Sequence, residues 1–109
     1  MATGQDFTLT AGDTRNIEVT VDSVNLSGAT VKWAVKKTVY DAEYVLYKDT
    51  DAGITVTGAA AGEFTIPLKP EDTAGLSGNY VHEAEITDAS GNVSTILTGT
   101  MTVKLGIIN

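Results

Sequence analysis

The chain has 109 residues, 42% of them hydrophobic, with fourteen acids, seven bases and a formal net charge of −7. That size suits one domain, 1–109, around one core, and the acidic balance repels phosphate backbones, so nucleic acid is an unfavourable partner. With no cysteine, an inter-sheet disulfide, thiolate metal sites and thiol catalysis are excluded, and no apolar run reaches membrane-span length.

MATGQDFTLT opens the chain with neither a basic region nor an apolar run. No signal peptide is expected, and the protein is expected to be soluble and made in the cytoplasm. Phe7 and Leu9 alternate with threonines in a first short strand, and Ala11-Gly12-Asp13 turns the chain. Ile17, Val19 and Val21 then share a face, as do Val31, Trp33 and Val35, each set opposite polar residues with the period of two that marks a half-buried strand. Tyr44 to Lys48 reads as a short strand, followed by an Asp49-Thr50-Asp51 turn. Ile54 and Val56 open the next strand, the small-residue stretch Gly58 to Gly62 interrupts it, and Phe64, Ile66 and Leu68 resume. Pro70 suits the first turn of a very short helix.

The penultimate strand puts Tyr80, His82, Ala84 and Ile86 on one face and Val81, Glu83 and Glu85 on the other. Asp88 to Asn92 makes a hairpin loop. The last strand is expected to turn Val93, Leu97, Met101, Val103 and Leu105 toward the core, with a bulge or bend at Gly99. Short strands at this spacing predict an all-β fold, an immunoglobulin-like antiparallel β-sandwich of seven to eight strands. Trp33 is then the large residue packed between the sheets. Tyr80, two residues after Gly78, is expected to form a tyrosine corner.

Candidate chemistry is sparse. A single histidine, His82, rules out a multi-histidine metal site, and Ser77, Ser90 and Ser94 lie in no nucleophile-elbow context. Glu83 and Glu85 share a strand face about 7 Å apart, a spacing that glycosidase carboxylates use and that any solvated strand also shows. Asp49-x-Asp51 and Asp88-x-Ser90 lack the further ligands of a calcium loop and read as turn formers. No catalytic residue, metal ligand or cofactor is expected. Ile107 and Ile108, adjacent apolar residues after Gly106, are candidates for contact with a partner or for capping the domain's own core.

LKPEDTA (Leu68–Ala74) resembles the end of framework three in antibody variable domains, without the Tyr-Tyr-Cys that follows there. A wider resemblance rests on motifs in order: DTRNIEVTV (Asp13–Val21), LSGATVKWAV (Leu26–Val35), GITV (Gly53–Val56), GEFTIPL (Gly62–Leu68) and DTAGLSGNYVHEAEITDASGNVSTILTGTMTV (Asp72–Val103). In this order the chain resembles the immunoglobulin-like N-terminal domains of bacteriophage baseplate upper proteins and related short tail-associated proteins. The resemblance implies a non-enzymatic structural or adaptor subunit of a phage or prophage virion, in contact with other virion proteins or with further copies of itself. A carbohydrate-binding module and a capsid decoration protein are the alternatives. A flat, solvent-facing row among Trp33, Tyr40, Tyr44 and Tyr47 would favour the carbohydrate module.

Overall fold

The computed structural model describes residues 5–22 and 24–107. Among them run eight strands: β1 (Phe7–Thr10), β2 (Arg15–Thr20), β3 (Thr30–Lys36), β4 (Leu46–Asp49), β5 (Thr55–Gly58), β6 (Glu63–Leu68), β7 (Gly78–Thr87) and β8 (Val93–Lys104). One helical turn, α1 (Pro70–Thr73), lies between β6 and β7. Five strands form one sheet in the order β1-β8-β7-β3-β4, and three form the other in the order β2-β6-β5. The two sheets make an immunoglobulin-like β-sandwich.

Every strand pair is antiparallel except β1 and β8, which run parallel from Phe7 opposite Met101 to Thr10 opposite Lys104. The sandwich is therefore antiparallel with one parallel edge.

Alternation fills the space between the sheets. In β3 every second residue is buried, so Val31, Trp33 and Val35 face Phe64, Ile66 and Leu68 of β6 across one core. Trp33 is completely buried at its centre. Removing an aromatic side chain of 150–250 Å² from water is worth roughly 4–6 kcal/mol as an upper bound.

Three expectations are corrected. The register of β7 on β8 slips between Ala84 and Glu85, so Ile96 is the extra residue of a bulge. Ile96 and Leu97 are consequently both buried, and Val93 is left outward. Gly99 is in register and meets a different need: a Cβ there would fall on the Gln5 carbonyl and 2.7 Å from Nε2 of His82. Finally, β8 ends at Lys104, and Leu105 lies outside the core, 76% exposed.

The crossover from β6 to β7 is held at three points. Lys69 N–H donates to Asp72 Oδ2 at 2.8 Å, capping α1, and Lys48 on β4 pairs with the same carboxylate at 3.0 Å. Gly12 N–H donates to the hydroxyl of fully buried Thr73 at 3.0 Å. The Tyr80 hydroxyl accepts from Ser77 N–H and donates to Ser77 C=O, both at 3.1 Å, with the Lys37 ammonium 4.6 Å above its ring. LKPEDTA is thus the passage from one sheet to the other.

Candidate functional site

Two features stand out from ordinary packing, one inside the sandwich and one on its surface. Inside, His82 faces the core from β7. Trp33 Nε1–H donates to His82 Nδ1 at 3.1 Å, and Nε2 lies 2.6 Å from the Gln5 carbonyl. An indole nitrogen only donates, so Nδ1 must be the bare nitrogen and Nε2 carries the proton. The Phe7 ring meets the imidazole edge-on at 5.1 Å. Burial lowers the pKa of His82, against a smaller upward pull from the Gln5 carbonyl and Asp6. In disulfide-pinned immunoglobulin domains the position two residues after the corner tyrosine is a cysteine beside the core tryptophan. Here that position is His82, tied to Trp33 and to the segment leading into β1.

Outside, the five-stranded sheet turns its alternate residues to solvent. Strand register lays down cross-sheet rows: Lys36, Val81 and Thr100; Tyr47, Ala34, Glu83 and Thr98; Asp49, Lys32, Glu85 and Thr95. Small Ala34 between Tyr47 and Glu83 leaves a trough of about 590 Å³ above Ala34 and Val81. Tyr44 and Tyr47 form one wall, their rings stacked at 5.3 Å and 24°, and the Lys36 ammonium lies 5.2 Å over Tyr44. Asp6, Glu83, Thr98 and Thr100 stand on the opposite side. The Tyr47 hydroxyl donates to Asp49 Oδ2 at 3.1 Å. Partial burial first, and then Asp49, raise its pKa, so the phenol stays neutral. Among the described residues, Lys32 stands opposite Glu85 without forming an ion pair with it.

The residues singled out in the sequence separate accordingly. Glu83 and Glu85 share the outer face, while the His82 side chain is buried on the opposite face of β7. Asp49 Oδ1 accepts from the backbone N–H groups of Asp51 and Ala52, and Asp88 Oδ1 from those of Ser90 and Asn92. Both carboxylates are engaged in their own loops. The bonds from Asn92 and its neighbours hold the Asp88 carboxyl below its ordinary value. Among the described residues no three histidine or carboxylate side chains gather as metal ligands, and no helix is long and apolar enough to cross a membrane. Of the four aromatics, Trp33 is buried, Tyr40 stands alone at 93% exposure, and Tyr44 and Tyr47 pair. Ile107 is fully exposed, and Ile108 lies outside the described residues.

The bond between His82 and Gln5 was not foreseen in the sequence. The signal available was the Tyr80-x-His82 step, which puts a lone polar ring on the same inward face as Trp33.

No protein-family model and no curated protein matches the chain. Solved structures do. The NK cell receptor Nkp44, a triggering partner in natural cytotoxicity, is similar at 19% identity and a TM-score of 0.50, over 93% of this chain and 98% of that one. Tim-4, solved in complex with phosphatidylserine, has 15% identity and a TM-score of 0.42, over 94% of this chain and 98% of its own. The likeness to Nkp44 concerns the immunoglobulin-like fold.

Proposed function

We propose that this chain is a non-enzymatic structural or adaptor subunit of a bacteriophage or prophage particle, working in the virion through protein–protein contact. The observation that carries the contact reading is the apolar segment beyond β8. Leu105 is 76% exposed and Ile107 is fully exposed, although β8 just before them buries Ile96, Leu97, Met101 and Val103 in the core. Apolar side chains held outside a completed core gain about 25 cal/mol per Å² when a partner covers them. The strand edges at β4 and β5 can add main-chain hydrogen bonds to such a contact. The virion setting rests on the ordered motifs from Asp13 to Val103, and the partners are other virion proteins or further copies of the chain.

The test is a Leu105→Ser/Ile107→Ser variant, compared with the wild type by thermal unfolding and by incorporation into particles. An unchanged melting midpoint with lost incorporation is expected. A variant that melts much lower yet incorporates fully overturns the contact assignment.

A further inference from the structure

The outer face of the five-stranded sheet carries more chemistry than packing requires, and it is separate from the apolar segment beyond β8. We infer that the trough over Ala34 and Val81 binds a neutral saccharide. Its volume of about 590 Å³ falls within the range of small-molecule sites, about 300–1,000 Å³. Its floor is apolar, formed by Ala34 and Val81. One wall is aromatic, with Tyr44 57% and Tyr47 40% exposed.

The polar groups select the ligand class. Asp6, Glu83 and Glu85 line the trough together with Lys32 and Lys36. An anion meets the carboxylates, a cation meets the ammoniums, and either loses much of what it gains. A neutral polyol suffers neither repulsion. Its hydroxyls donate to Glu83 and Glu85 and accept from Lys32, and each of these bonds is charge-assisted. The threonine hydroxyls of Thr98 and Thr100 serve either role. The C–H faces of a sugar ring need an apolar aromatic surface, and Tyr47, backed by Tyr44, offers one.

That surface is already ordered. Tyr47 is fixed by its bond to Asp49, and Tyr44 lies between Tyr47 and the Lys36 ammonium. Little side-chain freedom is left to lose on binding.

The experiment is amide-resolved NMR titration of the ¹⁵N-labelled chain with maltotriose, chitotriose and galactotriose, alongside an oligolysine peptide. Saturable shifts confined to Ala34, Val81, Glu83 and Thr98 are expected with at least one of the sugars. Tyr47→Ala and Glu83→Gln should each weaken that binding by about tenfold, the equivalent of one good contact. Tyr40→Ala, away from the trough, should bind as the wild type does, and Tyr47→Phe should keep most of the affinity because the ring remains. Three results overturn the inference: no shift with any of the sugars at millimolar concentration, shifts with oligolysine alone, or undiminished binding in both Tyr47→Ala and Glu83→Gln. Particle incorporation plays no part in this readout, so its failure and that of the adaptor reading are told apart.

Discussion

Because the indole of Trp33 occupies Nδ1 of His82 and the Gln5 carbonyl takes the proton on Nε2, the imidazole is held neutral by geometry as well as by burial. Protonating Nδ1 would set two donors against each other. The charged groups that share a recess with the ring are Asp6, ahead of β1, and Arg15 and Glu18 on β2. Burial outweighs the pull of Asp6, so the folded pKa lies below the ordinary value of 6.5. Between that lowered value and 6.5 the unfolded chain binds more protons than the folded one, so stability rises with pH across the interval. The contribution of His82 is complete above pH 6.5 and is lost as pH falls through the folded pKa. Thermal unfolding from pH 7.5 down to about 5 should therefore show a falling midpoint. His82→Gln, whose amide can accept from the indole and donate to Gln5, should flatten that slope. An equal slope in the variant would assign the acid loss to carboxylates. Tyr80 allows a second prediction at this scale: Tyr80→Phe strands the Ser77 N–H and C=O and should cost about 1–2 kcal/mol in denaturant unfolding. An unchanged midpoint would reject the corner.

At the scale of elements, β1 depends on a gap in β8. Asp6 Oδ1 accepts from Thr100 N–H at 2.8 Å, and Gln5 N–H donates to Thr98 C=O at 3.0 Å, so the approach to β1 passes directly over Gly99. Gly99→Ala puts a methyl group into that passage. The segment before β1 should lift away while the β3-β7 pairing stays intact. Hydrogen exchange should accelerate at residues 5–10 far more than at 31–36; uniform acceleration would mean that the substitution unfolds the whole sandwich.

Elements of this kind differ in how far the sequence reveals them. The inward faces of β3, β6 and β7 were legible because alternation is a local signal, and Trp33 and Tyr80 came with them. The Ile96 bulge was not. A strand rich in threonines and aliphatics accommodates either register, and the shift opposite Ala84 and Glu85 appears only once β8 is paired with β7. The partnership of β1 with β8 joins residues 94 apart, and no local pattern records it. Leu105 continued the alternation on paper, yet the sheet stops pairing at Lys104. The outer trough escaped notice because it arises from side-by-side placement: Ala34 between Tyr47 and Glu83, three residues from three strands.

For the whole molecule, stability comes from one core and a few polar ties, and a chain without cysteine has no disulfide to add. In the loop carboxylates Asp49 and Asp88, Oδ1 already accepts from two backbone N–H groups and Oδ2 from a side chain, the Tyr47 hydroxyl and the Asn92 amide respectively. Chelator should leave the melting midpoint where it was, and added calcium should not raise it, since a ligand specific to the native state must stabilise it. A rise of several degrees with calcium would reveal a site the turns do not suggest.

The parallel pairing of β1 with β8 also bears on how the domain carries load. The chain enters the sheet beside Thr98 and leaves it past Lys104, at opposite ends of the same pair of strands. Tension applied along the chain therefore pulls β1 and β8 past each other lengthwise. Their ladder, Phe7–Met101 through Thr10–Lys104, is strained in shear, and its bonds must give way together. An antiparallel terminal hairpin would instead peel open one bond at a time. Under axial pull, this one parallel edge makes the sandwich a stiff link.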